Sequence, residues 1–227
     1  NEGAWGNPEG LLKAAAIKPD DPRIVDEMLI HYAMQRNQEQ FDVYGQKMFQ
    51  INELPANLLN WGYNVLSELD ENAILFTVGD NDTYATWLIQ AAKKMRRDVT
   101  IVNTSLIELE EYRNRLLKEL GYDPLTLKKP ESDEEYLQNN LKLYAHFFAG
   151  KRPVYVSTTA ISLFEKEFGD NLYLTGLAYK YSGTAFDNTT VIRRNYEKRY
   201  LLDYLKEVFS HNPGDLKGEE FNGMYLP

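Results

Sequence analysis

Two carboxylates, an amide and a hydroxyl stand together in Gly79-Asp80-Asn81-Asp82-Thr83, with Tyr84 directly after them. Asp80 and Asp82, two residues apart, are hard oxygen donors of the kind that hold magnesium or calcium. With Thr158 or Thr159 orienting a phosphorylated or glycosylated substrate, they would make a divalent-metal-dependent enzyme. The same residue types also suit a structural role. Asp82 or Thr83 can cap a following helix, Asp80 and Asn81 can close an Asx-type turn, and Gly79 can take a positive φ. Two carboxylates alone make a sparse cation site, so no resident metal is expected.

Other chemistries lack their parts. The chain has no Cys, which excludes disulfides, thiol catalysis and thiolate metal sites. His31, His146 and His211 fall in separate segments without metal-ligand spacing. A Gly-x-Gly-x-x-Gly turn, a phosphate loop with Gly-Lys-Ser and a Gly-x-Ser-x-Gly elbow are all absent. The Asp-x-Asp-x-Thr nucleophile loop of haloacid dehalogenase-like phosphatases is not matched either, because Thr83 directly follows Asp82. No cofactor is expected and no catalytic residue can be named. The leading expectation is a non-catalytic binding or scaffolding module; a metal-dependent enzyme and a purely structural domain are the alternatives.

The elements that position these residues follow from the apolar pattern. Ala73 to Val78 is a β-type run that breaks into the polar stretch, expected as a tight turn, before a helix from about Asp82 to Arg96. Further strands are expected at Val99–Asn103, Pro153–Ser157 and the region Asn171–Tyr181, with helices near Leu109–Leu120, Glu134–Phe148, Ser162–Phe168 and Asn188–Phe209. Alternation of this kind predicts an α/β, Rossmann-like three-layer domain with a mostly parallel sheet over residues 56–227, led in by a helix at Ala56–Leu69. Right-handed crossovers bring the loops after the first three strands to one edge. The candidate ligand-binding set there is Gly79, Asp80, Asn81, Asp82, Thr83, Tyr84, Asn103, Ser105, Thr158 and Thr159.

Residues 1–55 read as helix throughout. Pro22 after Asp21 marks a helix start, and Phe41, Tyr44, Met48 and Phe49 mark one face of the next helix. The segment Ala14 to Pro22, followed by a helix with a late Tyr-Ala, resembles a tetratricopeptide-type helix–turn–helix junction over about one and a half repeats.

A net charge of −9 and a pI near 5.0 disfavour nucleic acid and anionic membrane. Lys93-Lys94-Met95-Arg96-Arg97 and Arg193-Arg194 read as solvated helix surface. No apolar run reaches the roughly 18 residues of a membrane helix. Among the 16 Tyr and other aromatics, Trp61, Tyr63, Trp87, Tyr136, Tyr144, Phe147 and Phe148 recur at helical spacing and are expected in the core instead of on a sugar-stacking surface.

The run Asn72 to Trp87 followed by Arg97-Asp-Val-Thr-Ile-Val-Asn-Thr-Ser-Leu106 resembles the soluble carboxyl-terminal region of bacterial membrane proteins of the protein O-mannosyltransferase-like family. Arg152–Ser157 and Leu174–Tyr179 extend the likeness to about residues 56–205. The resemblance covers Gly79, Asp80, Asn81, Asp82, Thr83, Asn103 and Ser105. It implies an α/β domain on the outer side of a cytoplasmic membrane, periplasmic or otherwise extracytoplasmic, with a leader not visible in the chain. Glycosyl transfer in that family belongs to a multi-helix membrane portion that this chain lacks, so mannosyl transfer is not implied. The partner expected is a protein or glycan.

Overall fold

The computed structural model describes residues 8–52 and 54–203. Three helices come first: α1 (Pro8–Ile17), α2 (Pro22–Gln35) and α3 (Gln38–Ile51). Asp21 caps α2 by accepting from the Arg23 N–H, and Pro22 fills the first helical position, where no donor is needed. Arg36 takes a left-handed conformation and Asn37 caps α3 through the Gln40 N–H, so two residues turn the chain into a helical hairpin. Val25, Leu29, Phe41 and Met48 from this hairpin lie in the same apolar cluster as the strands that follow.

The rest of the chain runs α4 (Ala56–Glu68), β1 (Ile74–Thr77), α5 (Gly79–Lys93), β2 (Thr100–Asn103), α6 (Glu110–Leu120), α7 (Asp133–Phe148), β3 (Val154–Ser157), α8 (Glu165–Phe168), β4 (Leu172–Leu174), β5 (Ala178–Tyr181) and α9 (Asn188–Lys198). Every residue of β1, β2 and β3 is buried, as strands covered on both faces must be. Phe76 of β1 is ringed by Tyr144, Phe147 and Phe148 of α7 and by Phe164.

The sheet order is β2-β1-β3-β5-β4. Only β2, β1 and β3 are parallel; β5 runs antiparallel to β3, and β4 antiparallel to β5. The expected mostly parallel, Rossmann-like sheet is therefore a mixed one. The cause lies at Thr175-Gly176-Leu177, which folds the single strand expected over Asn171–Tyr181 into a hairpin. Gly176 has a φ of 147°, and a Cβ there would collide with the Tyr200 hydroxyl.

The last helix is also shorter than expected. It stops at Lys198 because the next residues bond to α4 instead: Asn64 accepts from the Leu201 N–H at 2.7 Å and donates to the Leu201 carbonyl at 3.0 Å, while Arg199 donates to the Ser67 and Glu68 carbonyls. Residues 204–209, expected in the same helix, lie outside the described residues.

Candidate functional site

Each parallel strand ends on a polar residue: Thr77 in β1, Asn103 in β2, Ser157 in β3. Thr77 and Asn103 are register partners, and Phe76 pairs with Val156, so the three polar ends form one row along the carboxyl edge. The first turn of α5 sits on that row. Thr83 Oγ1 donates to the Gly79 carbonyl at 2.7 Å, lies 2.8 Å from Thr77 Oγ1 and accepts from Asn103 Nδ2 at 2.9 Å. Asn103 Nδ2 also donates to the Gly79 carbonyl, and its Oδ1 accepts the N–H groups of Ser105 and Leu106. The loops expected to converge do converge, through a buried polar network.

Gly79 to Thr83 were expected as a tight turn before the helix. They are instead the first turn of α5, with Gly79 at a φ of 67°. Asp82 makes this possible by reaching back to accept the Val78 N–H at 2.9 Å, which satisfies a donor the helix cannot. Helical geometry also separates the two carboxylates, since residues two apart lie about 200° apart around the axis. Asp80 is exposed and Asp82 is buried. Among the described residues, no group of three or more His, Asp or Glu side chains is placed to hold a metal ion.

Asp82 is the most unusual group at this edge. It is 1% exposed, and the same oxygen, Oδ2, accepts from Val78 N, from Thr159 Oγ1 at 2.6 Å and from Ser157 Oγ at 3.1 Å. Its Oδ1 is buried with no hydrogen-bond partner among the described residues. Burial pushes the carboxyl up to about 6, against the opposing pull of the Thr159, Val78 and Ser157 hydrogen bonds. Its position matters as much. In the order β2-β1-β3-β5-β4 the connections leaving β1 and β3 run in opposite directions, and the crevice between the ends of these two strands is where α/β sheets of this kind take ligands. Here Asp82, bonded to Ser157 and Thr159, occupies the mouth of that crevice.

Open space lies on the other side of β1. A cleft of about 140 Å³ is lined by Gly79, Asp80, Thr83, Tyr84, Asn103 and Ser105, together with Ile30 of α2, Trp87 and Leu106. Six of the ten expected residues thus meet around one cavity. Asn81, Asp82, Thr158 and Thr159 do not line it. Tyr84 is half-buried, with its ring 5.8 Å from Trp87. Burial, with Asp26 of α2 hydrogen-bonded to it, pushes the phenol far above its ordinary range, so it stays protonated. The helical segment thereby forms one wall of the cleft through Ile30 and anchors Tyr84 through Asp26. Thr158 is held elsewhere, its N–H donating to the Leu177 carbonyl.

Two residues of this arrangement were missed as site members, Thr77 and Ser157. The signal was present, since a polar residue ends each of Ile-Leu-Phe-Thr, Thr-Ile-Val-Asn and Val-Tyr-Val-Ser. Other expectations also shift. Arg96, expected on a solvated helix face, donates to the carbonyls of Leu66, Leu69 and Asp70 and so closes the end of α4, while Lys94 and Arg97 pair with Asp42. Trp61, Trp87, Tyr144, Phe147 and Phe148 are in the core and Tyr63 is half-buried, but Tyr136 is 44% exposed, its hydroxyl bonded to Glu108. His31 pairs with Gln35 at 3.0 Å, burial lowers its pKa, and it does not line the cleft.

A family model described as TMEM260-associated domain 2 matches residues 58–143. The match runs from α4 to within α7 and takes in β1, α5 and β2, with the whole Gly79–Tyr84 turn and Asn103–Ser105. It is consistent with a domain related to the protein O-mannosyltransferase-like proteins. No curated protein and no solved structure matches the chain. Among the described residues no helix is long and apolar enough to cross a membrane.

Proposed function

We propose that the chain is a non-catalytic binding or scaffolding module of the extracytoplasmic side, whose ligand enters the cleft between α2, the start of α5 and the end of β2. The observation that carries this reading is the state of the carboxyl-edge network. Thr77, Thr83 and Asn103 spend their polar groups on one another and on the backbone, leaving an apolar floor of Ile30, Trp87 and Leu106 beneath a rim of Asp80 and Ser105. A few polar groups over an apolar floor suit recognition of a small polar or glycan ligand, or of a protein side chain. Tyr84 lines the cleft with the Asp26 carboxylate bonded to its hydroxyl, but burial keeps that phenol protonated, which does not suit a nucleophile. The extracytoplasmic placement rests on the resemblance to the mannosyltransferase-like region and is supported by the TMEM260-associated family match. The short turn between α1 and α2, at the Ala14–Pro22 junction, supports the tetratricopeptide-like reading of the amino-terminal segment.

Thermal-shift screening of the wild type and Ser105→Trp against nucleotides, nucleotide sugars and short glycans tests it. The expected result is stabilisation of the wild type by one of these probe classes, lost in Ser105→Trp with the unliganded melting temperature unchanged. Stabilisation that survives the filled cleft overturns the reading; a flat screen rules out the small polar or glycan ligand in favour of a protein one.

One observation favours the enzymatic alternative: Asp82 carries an unpartnered oxygen and a carboxyl raised to about 6, near the range useful for proton transfer. Divalent-ion stabilisation abolished by Asp82→Asn would put that reading in place of the binding module.

A further inference from the structure

A second cleft lies between the start of α6, the loop after Leu120 and α7, its lining beginning at Glu108, two residues past Leu106 of the first cleft. Its volume is about 280 Å³, twice that of the carboxyl-edge cleft. Arg113 lines it and is only 2% exposed. Its Nη1 donates to the carbonyls of Ile107 and Glu108, its Nε is buried with no partner, and the guanidinium makes no ion pair among the described residues. Glu110 acts on it only from beyond ion-pair distance, and a buried, permanently charged group so weakly countered is costly unless something else supplies negative charge.

The walls match that need. Lys128 and Lys129 come from the loop, which Asn139 of α7 fixes by donating to the Lys128 carbonyl at 2.8 Å. Asn140 adds another side-chain amide to the lining. Glu108 and Glu110 also line the cleft, but Glu108 is engaged by the Tyr136 hydroxyl. Three cations against two carboxylates give a locally positive pocket in a chain of net charge −9. Arg presents a planar fork of donors that fits two oxygens of one oxyanion, and the lysines supply mobile point charges around it.

We propose that this cleft binds a small oxyanion, the phosphate or carboxylate head group of a small molecule, with Arg113 as its fixed donor and Lys128 and Lys129 closing over it. The proposal stands independently of the carboxyl-edge cleft. Every lining residue, from Glu108 to Asn140, falls inside the segment matched by the family model, so the pocket belongs to that unit and owes nothing to the amino-terminal helices.

The test is calorimetric titration of the full chain with inorganic phosphate and, separately, with malonate, at constant ionic strength held by chloride. The Arg113 Nε–H resonance is followed in parallel. Saturable binding of either anion is expected, with a shift of that resonance; the tighter anion tells whether the natural head group is phosphate or carboxylate. Lys128→Ala/Lys129→Ala, on the exposed loop, should weaken binding by about tenfold or more, and Arg113→Lys should weaken it further by removing the fork. Ser105→Trp should leave it unchanged. If Arg113→Lys does not fold, the double lysine variant still decides. No saturable binding of either anion, or affinity within about twofold of wild type in the double variant, overturns the proposal.

Discussion

Two buried carboxyls hold this molecule together, and they are not equally satisfied. Glu68, 2% exposed at the end of α4, uses both oxygens: Oε1 accepts from Thr175 Oγ1 at 3.1 Å, and Oε2 accepts from Leu177 N at 2.9 Å and from the Tyr200 hydroxyl. It ties α4 to the β4–β5 hairpin and to the segment after α9. Asp82 loads three donors onto Oδ2 and leaves Oδ1 with none. A fully used buried acceptor is a clamp, whereas a half-used one keeps capacity for another group. Glu68 therefore explains the shape of the sheet's antiparallel half. Asp82 explains why the β1–β3 crevice is shut while the cleft beside β2 stays open.

The largest expected effect comes from breaking the clamp. Glu68→Ala strands the Leu177 N–H and the Tyr200 hydroxyl and opens a cavity, at a cost of about 3–5 kcal/mol in urea unfolding. Asp82→Ala should cost less, about 1–3 kcal/mol, because Ser157 and Thr159 already lie 2.5 Å apart and can keep each other's company. If the two variants cost the same, the contrast between them fails.

Both groups also make stability depend on pH, in an unusual direction. Burial raises Glu68 from 4.5 to about 7 and Asp82 from 3.8 to about 6, so the folded chain holds these protons more tightly than the unfolded one. Their contribution is fully present below about pH 4 and is lost as the pH rises through 6 and 7. Chemical denaturation at pH 5 and pH 8 should show the wild type less stable at pH 8 by on the order of 4 kcal/mol, and Glu68→Gln should flatten most of that slope. Asp98 works oppositely: hydrogen bonding from Arg96 holds it down at about 2, and its contribution disappears only in stronger acid.

The smallest effect belongs to Asp80. Its carboxylate is exposed in the first turn of α5, where it faces the helix dipole, so Asp80→Ala should change stability by about 0.5 kcal/mol. A loss comparable to that of Asp82→Ala would mean the two aspartates act as a pair after all.

The parallel half of the sheet was legible because Ile-Leu-Phe, Ile-Val and Val-Tyr-Val are short apolar runs between helical patterns, which leaves few other placements. The convergence of Gly79, Thr83, Asn103 and Ser105 followed from that placement. The hairpin was not legible. Leu172 to Tyr181 reads as one strand, and what folds it back is Glu68, some hundred residues earlier, together with Asn195, which donates to the Thr175 carbonyl at 2.7 Å. Gly79 to Asp82 read as a turn for a similar reason. Only the reach of Asp82 to the Val78 N–H, and of Ser157 and Thr159 to Asp82, makes a helix start there. Tyr136 was misplaced because helical spacing identifies a face without saying whether anything covers it.

The most direct test of the central claim is a backbone and Trp87 indole NMR map of the wild type and Asp82→Asn, titrated with the nucleotide, nucleotide-sugar and short-glycan probes. Shifts clustered at Gly79, Tyr84, Trp87, Asn103 and Ser105, and retained in Asp82→Asn, are the predicted result. A map centred on Ser157, Thr158 and Thr159 that collapses in Asp82→Asn would contradict it.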